Sequence, residues 1–135
     1  MEFRTGRVSA NSIDFHYLEL GAGPLVICLH GFPDNAYTFR SLLPTLADAG
    51  FRAVAPFMRG YFPSGNPPDE RYESVLLGQD AVALIAALGT NEAFVVGHDW
   101  GGLATLLSAI VAPGQVRKKR EPVSSGWSGG KPSWP

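Results

Sequence analysis

The chain has 135 residues, of which 45% are hydrophobic and 17% charged, and its net charge is −1. This is the composition of one globular domain. No apolar run is long enough to cross a bilayer, so a membrane is not predicted as a partner. With a net charge of −1, a nucleic acid is not predicted as a partner either. The N-terminus lacks the apolar core of a secretory signal. The single cysteine, Cys28, cannot form an internal disulfide, which fits a reducing compartment and predicts a cytoplasmic protein.

The charges divide the chain into two parts. Six basic and eleven acidic residues precede residue 117, whereas five basic residues and one acidic residue follow from Arg117 onward. The last stretch is rich in Ser, Gly and Pro and has no hydrophobic periodicity. We therefore predict a folded part over residues 1–116 and a disordered basic tail over residues 117–135. The abrupt loss of pattern suggests a truncated or frameshifted reading frame.

Five short strands are predicted where apolar residues alternate or run without interruption. The third strand is apolar at all five positions, which is typical of a central parallel strand. A turn at residues 21–24 precedes it. The predicted strands cover residues 3–8, 13–20, 25–29, 51–55 and 94–96.

Three helices are predicted from apolar residues at helical spacing. The first covers residues 39–46, and the second runs from Ser74 to Gly89. The third follows the last strand and carries Leu103, Leu106, Leu107 and Ile110 on one face. Two initial strands followed by strand–helix repeats predict an α/β fold, a three-layer α/β/α sandwich with a mostly parallel sheet.

The most informative stretch is Gly97-His98-Asp99-Trp100-Gly101, which alone separates the last strand from the last helix. Such a sharp reversal crowds the backbone, and small residues two positions before and after the apex relieve the crowding. This is the layout of a nucleophile elbow, G-x-Nu-x-G, with Asp99 in the nucleophile position and the Trp100 N–H at a helix N-terminus. The alternative is that Asp99 only caps the helix.

A second stretch, His30-Gly31-Phe32-Pro33, follows the buried third strand. The sequence VVGHDWGG resembles the elbow of the α/β-hydrolase fold in the branch of epoxide hydrolases and dehalogenases, and His30 to Pro33 resemble the HGxP oxyanion loop of that branch. The resemblance covers residues 7 to 117, the N-terminal portion of the fold. It departs from the family's D-x-R-G-Y-G pattern at Phe57 and Phe62, and Arg59 within that pattern is interpreted as structural.

The resemblance implies a nucleophilic role for Asp99, which would attack an epoxide or carbon–halogen carbon and form an alkyl ester. The backbone N–H groups of Phe32 and Trp100 would form an oxyanion hole. The implied substrate is a small hydrophobic epoxide or organohalide, and no metal or organic cofactor is required; the oligomeric state stays open. The supporting residues are His30, Gly31, Pro33, Gly97, His98 and Gly101.

The family places its catalytic histidine, that histidine's acid and the lid after the elbow. The histidines of this chain, His16, His30 and His98, lie at or before it, and none is expected to act as a base. Phe32 argues against haloalkane dehalogenases, which usually have asparagine there, but it fits both epoxide hydrolases and fluoroacetate-type dehalogenases. A non-catalytic fragment of the fold is the remaining alternative. The resemblance further implies a cis Phe32–Pro33 bond, and the strand at 94–96 is expected to form an unpaired edge.

Overall fold

A computed structural model of the chain describes residues 3–31, 34–66, 71–72 and 74–117. Within these residues, six strands form one sheet, and three α-helices and one 3-10 helix surround it. The strands are β1 (Arg4–Ala10), β2 (Ile13–Leu20), β3 (Leu25–Leu29), β4 (Arg52–Pro56), β5 (Ala93–Gly97) and β6 (Val116–Arg117). The α-helices are α1 (Leu42–Asp48), α2 (Ser74–Ala87) and α3 (Trp100–Val111), and the 3-10 helix is Ala36–Phe39.

The sheet has the strand order β1-β2-β4-β3-β5-β6. β1 and β2 form an antiparallel hairpin whose turn residues, Asn11 and Ser12, have positive φ angles, and β2 also runs antiparallel to β4. The other three pairings, β3 with β4, β3 with β5 and β5 with β6, are parallel. The predicted mostly parallel sheet is therefore confirmed.

Both faces of the sheet are covered, because successive side chains of a strand point to opposite sides. On β3, Leu25, Ile27 and Leu29 belong to the apolar cluster that includes residues of α2 and α3. Val26 and Cys28 belong to a second cluster, which includes Leu43 of α1 and the 3-10 helix. The predicted three-layer α/β/α arrangement is confirmed, and it leaves the carboxyl ends of β3 and β5 side by side.

The expectation of an unpaired edge beside β5 is wrong. β6 pairs in parallel with the start of β5, with Val116 opposite Ala93 and Arg117 opposite Phe94. A strand of two residues is too short to show any periodicity, so the sequence gives no signal for it. The backbone of Arg117 is thus part of the sheet, and the rest of the predicted tail, residues 118–135, lies outside the described residues.

No helix in the described part of the chain is both long enough and apolar enough to span a bilayer.

Candidate active site

Asp99 lies at the apex of the turn between β5 and α3, as predicted. Its backbone angles are φ 59° and ψ −121°, a region that a residue with a Cβ rarely adopts. Holding such a conformation costs about 1–3 kcal/mol, and strain of this kind clusters at functional sites. The surrounding structure must therefore fix this turn.

The two glycines beside Asp99 are required by close backbone contacts. A Cβ on Gly97 would overlap the carbonyl of Gly101, and a Cβ on Gly101 would overlap the carbonyl of Leu29 at the end of β3. Helix α3 therefore starts directly against β3 and β5. The predicted role of small residues on either side of the apex is confirmed.

The side chain of Asp99 does not cap helix α3. Asp99 occupies the N-cap position, but its carboxylate makes no capping hydrogen bond. Its backbone carbonyl instead accepts the N–H groups of Gly102 and Leu103, at 2.8 Å and 3.1 Å. Asp99 is exposed, whereas a capping aspartate normally accepts an N–H of the first turn. The geometry therefore disfavours the capping interpretation.

The loop after β3 is brought against Asp99 by its glycine. A Cβ on Gly31 would lie 2.5 Å from the Asp99 Cβ and 3.0 Å from its Oδ2 atom. The predicted proximity of the two stretches is thus observed at Gly31. Phe32 and Pro33 lie outside the described residues, and with them the predicted oxyanion donor of Phe32 and the cis bond.

The backbone N–H of Trp100 has no hydrogen-bond acceptor among the residues that the structure describes. It is one of the first N–H groups of α3, which have no intrahelical partner and carry the positive end of the helix dipole. Such a group, directly after Asp99 in the chain, is suited to donate a hydrogen bond to an anion.

His30 is buried and uses both ring nitrogens. Its Nε2 atom accepts the Met58 N–H at 3.0 Å, so the proton is on Nδ1, which donates to the Gly31 carbonyl at 2.9 Å. Burial lowers the pKa of His30, against smaller raising effects of the bond to Gly31 and the charge of Asp34. His30 therefore ties the loop at Gly31 to the segment after β4, and it has no nitrogen left to act as a base.

The other two histidines occupy different surroundings. His98 is exposed and precedes Asp99 in the turn. His16 lies on β2, is half-buried, and has its Nε2 atom 3.9 Å from Asp14 Oδ2. The predicted site residues Gly31, Gly97, Asp99, Trp100 and Gly101 are thus brought together, whereas His16 belongs to the hairpin.

Tyr61 lies beside the site, and the sequence did not predict it there. Its ring packs edge-on against that of His30, with centroids 4.6 Å apart. Burial, followed by the negative charges of Asp99 and Asp34, raises the pKa of Tyr61. The only signal in the sequence was that Tyr61 follows Arg59 and Gly60 and so occupies the tyrosine position of the family's D-x-R-G-Y-G pattern.

Arg59 is held by a buried ion pair. Its Nε and Nη2 atoms donate to the two carboxylate oxygens of Asp80 at 2.6 Å and 2.9 Å, and its Nη1 donates to the Arg71 carbonyl. Asp80 also accepts a hydrogen bond from Asn11 at 2.7 Å. This arrangement links the hairpin, α2 and the segment after β4, in agreement with the structural role predicted for Arg59.

A cavity of about 190 Å³ adjoins Trp100 and extends over Met58, Tyr61, Tyr72 and Leu77. A larger groove of about 670 Å³ lies elsewhere, between the hairpin and residues 57–63, and its lining includes none of the predicted site residues. Of these two, the smaller cavity adjoins the elbow. The described residues contain no group of three or more His, Cys, Asp or Glu side chains that could hold a metal ion.

Comparison with known proteins identifies the family. Residues 24–118 match the alpha/beta hydrolase fold family, and the chain belongs to it. The chain is 41% identical over 106 residues to bifunctional epoxide hydrolase 2 of Sus scrofa, covering 78% of this chain and 19% of that protein. It is 40% identical over 111 residues to an epoxide hydrolase of Caballeronia sordidicola, covering 82% of this chain and 34% of that protein.

Solved structures agree with this assignment. The crystal structure of an epoxide hydrolase from Vigna radiata superposes with a TM-score of 0.80 at 38% identity, over 85% of this chain and 38% of that one. An epoxide hydrolase from Mycobacterium thermoresistibile gives a TM-score of 0.80 at 36% identity, over 84% of this chain and 37% of that one. The resemblance drawn from the elbow is confirmed. The chain spans 19% of the length of the first of these two curated relatives and 34% of the length of the second.

Proposed function

We propose that this chain is the nucleophile-bearing part of an epoxide hydrolase-like enzyme, in which Asp99 opens an epoxide and becomes esterified. The observation that carries the proposal is the conformation of Asp99, which is held at positive φ between two glycines that no larger residue can replace without overlap, and whose carboxylate makes no capping hydrogen bond. The similarity to epoxide hydrolases supports the choice of substrate class.

The first chemical step is a ring opening. A carboxylate oxygen of Asp99 forms a bond to one epoxide carbon while the bond from that carbon to the epoxide oxygen breaks. The electron pair goes to the epoxide oxygen, which takes a proton from water and becomes a hydroxyl group. The product is a hydroxyalkyl ester that retains every atom of the epoxide.

The second step, hydrolysis of the ester, passes through a tetrahedral oxyanion. The Trp100 N–H at the start of α3 is suited to stabilise that charge, and the Phe32 N–H remains the predicted second donor. Activation of the water needs a general base. His30 has both nitrogens engaged, and His16 lies on the hairpin, so we expect the 135 residues by themselves to form the ester without turning over.

Intact-mass spectrometry of the chain incubated with styrene oxide tests this proposal. We expect one adduct with the mass of one epoxide, removed by hydroxylamine and absent from Asp99→Asn. Asp34→Asn is the matched control, because Asp34 is a second exposed carboxylate near His30 and Tyr61. The absence of any adduct, an adduct that persists in Asp99→Asn, or repeated diol formation would each contradict the proposal.

Competing alkylation of the cysteine is not expected to confuse the result. Cys28 is fully buried, and burial raises the pKa of its thiol to about 12, so the thiolate is scarce at neutral pH. An alkyl chloride tested in parallel distinguishes an epoxide hydrolase from a dehalogenase. The adduct of the chloride would lack the halogen, because the halide leaves when the ester forms. Faster esterification by the chloride than by the epoxide would favour that alternative.

A further inference from the structure

The larger groove, between the β1–β2 hairpin and residues 57–63, has no part in the proposed esterification. Its volume is about 670 Å³, which is within the range of about 300–1,000 Å³ that small-molecule sites occupy. It shares no lining residue with the cavity beside Trp100. This hairpin groove is therefore a candidate binding site of its own.

One wall of the hairpin groove is aromatic. It contains Tyr37, Phe57 and Phe62, and the rings of Tyr37 and Phe57 pack edge-on with centroids 5.8 Å apart. Phe57 and Phe62 are the two positions at which the chain departs from the family's D-x-R-G-Y-G pattern, so two aromatic rings replace an aspartate and a glycine. Phe57 is buried, whereas Phe62 is 90% exposed and Tyr37 47% exposed. The departures thus help to give this chain a surface on which a flat ring can stack.

The hairpin supplies a polar wall. Arg7 and His16 lie directly opposite each other in the register of β1 and β2, and Thr5 is two residues from Arg7; all three line the groove. Cross-strand partners share one face of a sheet, and so do residues i and i+2, so these three side chains project from the same face of the hairpin. A hydroxyl, an imidazole and a guanidinium offer both donors and acceptors. The groove therefore suits a ligand with an aromatic plane and a polar edge.

The charge of Arg7 is balanced within the hairpin. Its Nε atom donates to both carboxylate oxygens of Asp14, at 3.1 Å and 3.0 Å, and the Nε2 atom of His16 lies 3.9 Å from Asp14 Oδ2. An ionic ligand would give up part of its hydration beside an ion pair that is already neutral, which is unfavourable. A hydroxyl or carbonyl oxygen can still accept a hydrogen bond from the terminal nitrogens of Arg7, because the bonds to Asp14 use Nε.

From this arrangement we propose that the hairpin groove binds an uncharged aromatic compound of two or three rings that carries hydroxyl or carbonyl groups along one edge. The rings stack on Phe62 and Tyr37, and the polar edge bonds the side chains of the hairpin. The site does not include Asp99, so its occupant is a ligand distinct from the epoxide.

Isothermal titration calorimetry of the full chain with 2,7-dihydroxynaphthalene tests the proposal. We expect a saturable 1:1 complex whose dissociation constant rises by about fivefold in Phe62→Ala, because one stacking surface is lost. Tyr72→Ala is the matched control, because Tyr72 is an aromatic residue that is 49% exposed and lines the cavity beside Trp100 instead; its dissociation constant is expected to match that of the wild type. No binding, or weakening by Tyr72→Ala but not by Phe62→Ala, would overturn the proposal.

Two charged probes and a second variant test the class of ligand and the polar wall. The 2-naphthoate anion and the cation of 2-(aminomethyl)naphthalene have the same ring system, and both are expected to bind at least about fivefold more weakly than the diol. Tighter binding of either ion would overturn the assignment to an uncharged ligand. Thr5→Val keeps the shape of the side chain and removes its hydroxyl, so the dissociation constant of the diol is expected to rise by about threefold. An unchanged dissociation constant in both Thr5→Val and Phe62→Ala would place the diol outside the groove and refute the site.

Discussion

The buried ion pair between Arg59 and Asp80 provides a quantitative test of how the fold holds its site. Both side chains are almost fully buried, at 4% and 6% exposure, and two hydrogen bonds join them. Asp80→Ala would remove the carboxylate that accepts two hydrogen bonds from this buried guanidinium, and breaking a buried pair destabilises proteins by about 3–5 kcal/mol. It also removes the bond from Asn11, which adds roughly 1 kcal/mol. Because domains are stable by only about 5–15 kcal/mol, this loss takes a large share of the total.

Urea unfolding followed by circular dichroism measures this loss as a difference in the free energy of unfolding. Asp14→Ala is the matched control, because it removes the ion pair with Arg7, whose side chains are 67% and 48% exposed. An exposed pair contributes less than about 1 kcal/mol. Equal losses in Asp80→Ala and Asp14→Ala would refute the assignment of Arg59 as the residue that holds the segment after β4.

Two further variants test the elbow and the loop beside it. Gly101→Ala is expected to lower the free energy of unfolding by about 1–3 kcal/mol, because its Cβ would overlap the Leu29 carbonyl. Gly102→Ala is the control, since its Cβ would only reach ordinary contact with Gly97; equal stability of the two variants in urea contradicts the assignment. The pKa of His30 lies below its ordinary 6.5 in the folded state, so the unfolded chain binds the proton more strongly and acid favours unfolding. Stability is therefore expected to fall as the pH drops below about 6.5, less steeply in His30→Gln; identical slopes in urea titrations at several pH values would contradict this.

The sequence predicted those parts of the fold that have a local periodic signal. The strand boundaries at 13–20 and 25–29 agree with β2 and β3, because alternation and an unbroken apolar run are visible within one segment. The elbow could also be predicted from the sequence, because its two glycines and its aspartate lie within five consecutive residues. β6 could not be predicted, because a strand of two residues shows no hydrophobic alternation. It forms only through its pairing with β5.

The contacts around the elbow were less accessible from sequence. His30 was predicted to support the site, but its two hydrogen bonds depend on where Met58 lies after β4. Tyr61 and the cavity beside Trp100 arise from packing between segments that are distant in the chain. Such contacts follow from tertiary structure, and no local spacing encodes them.

The most direct test of the central claim is to locate the ester by tandem mass spectrometry. After incubation with styrene oxide, trypsin releases residues 72–117 as one peptide, because no Lys or Arg lies between Arg71 and Arg117. We predict that fragment ions place one epoxide mass on Asp99 and that Asp99→Asn leaves this peptide unmodified. An epoxide mass on Asp80 or Glu92 instead of Asp99, or an unmodified peptide from the wild-type chain, would contradict it.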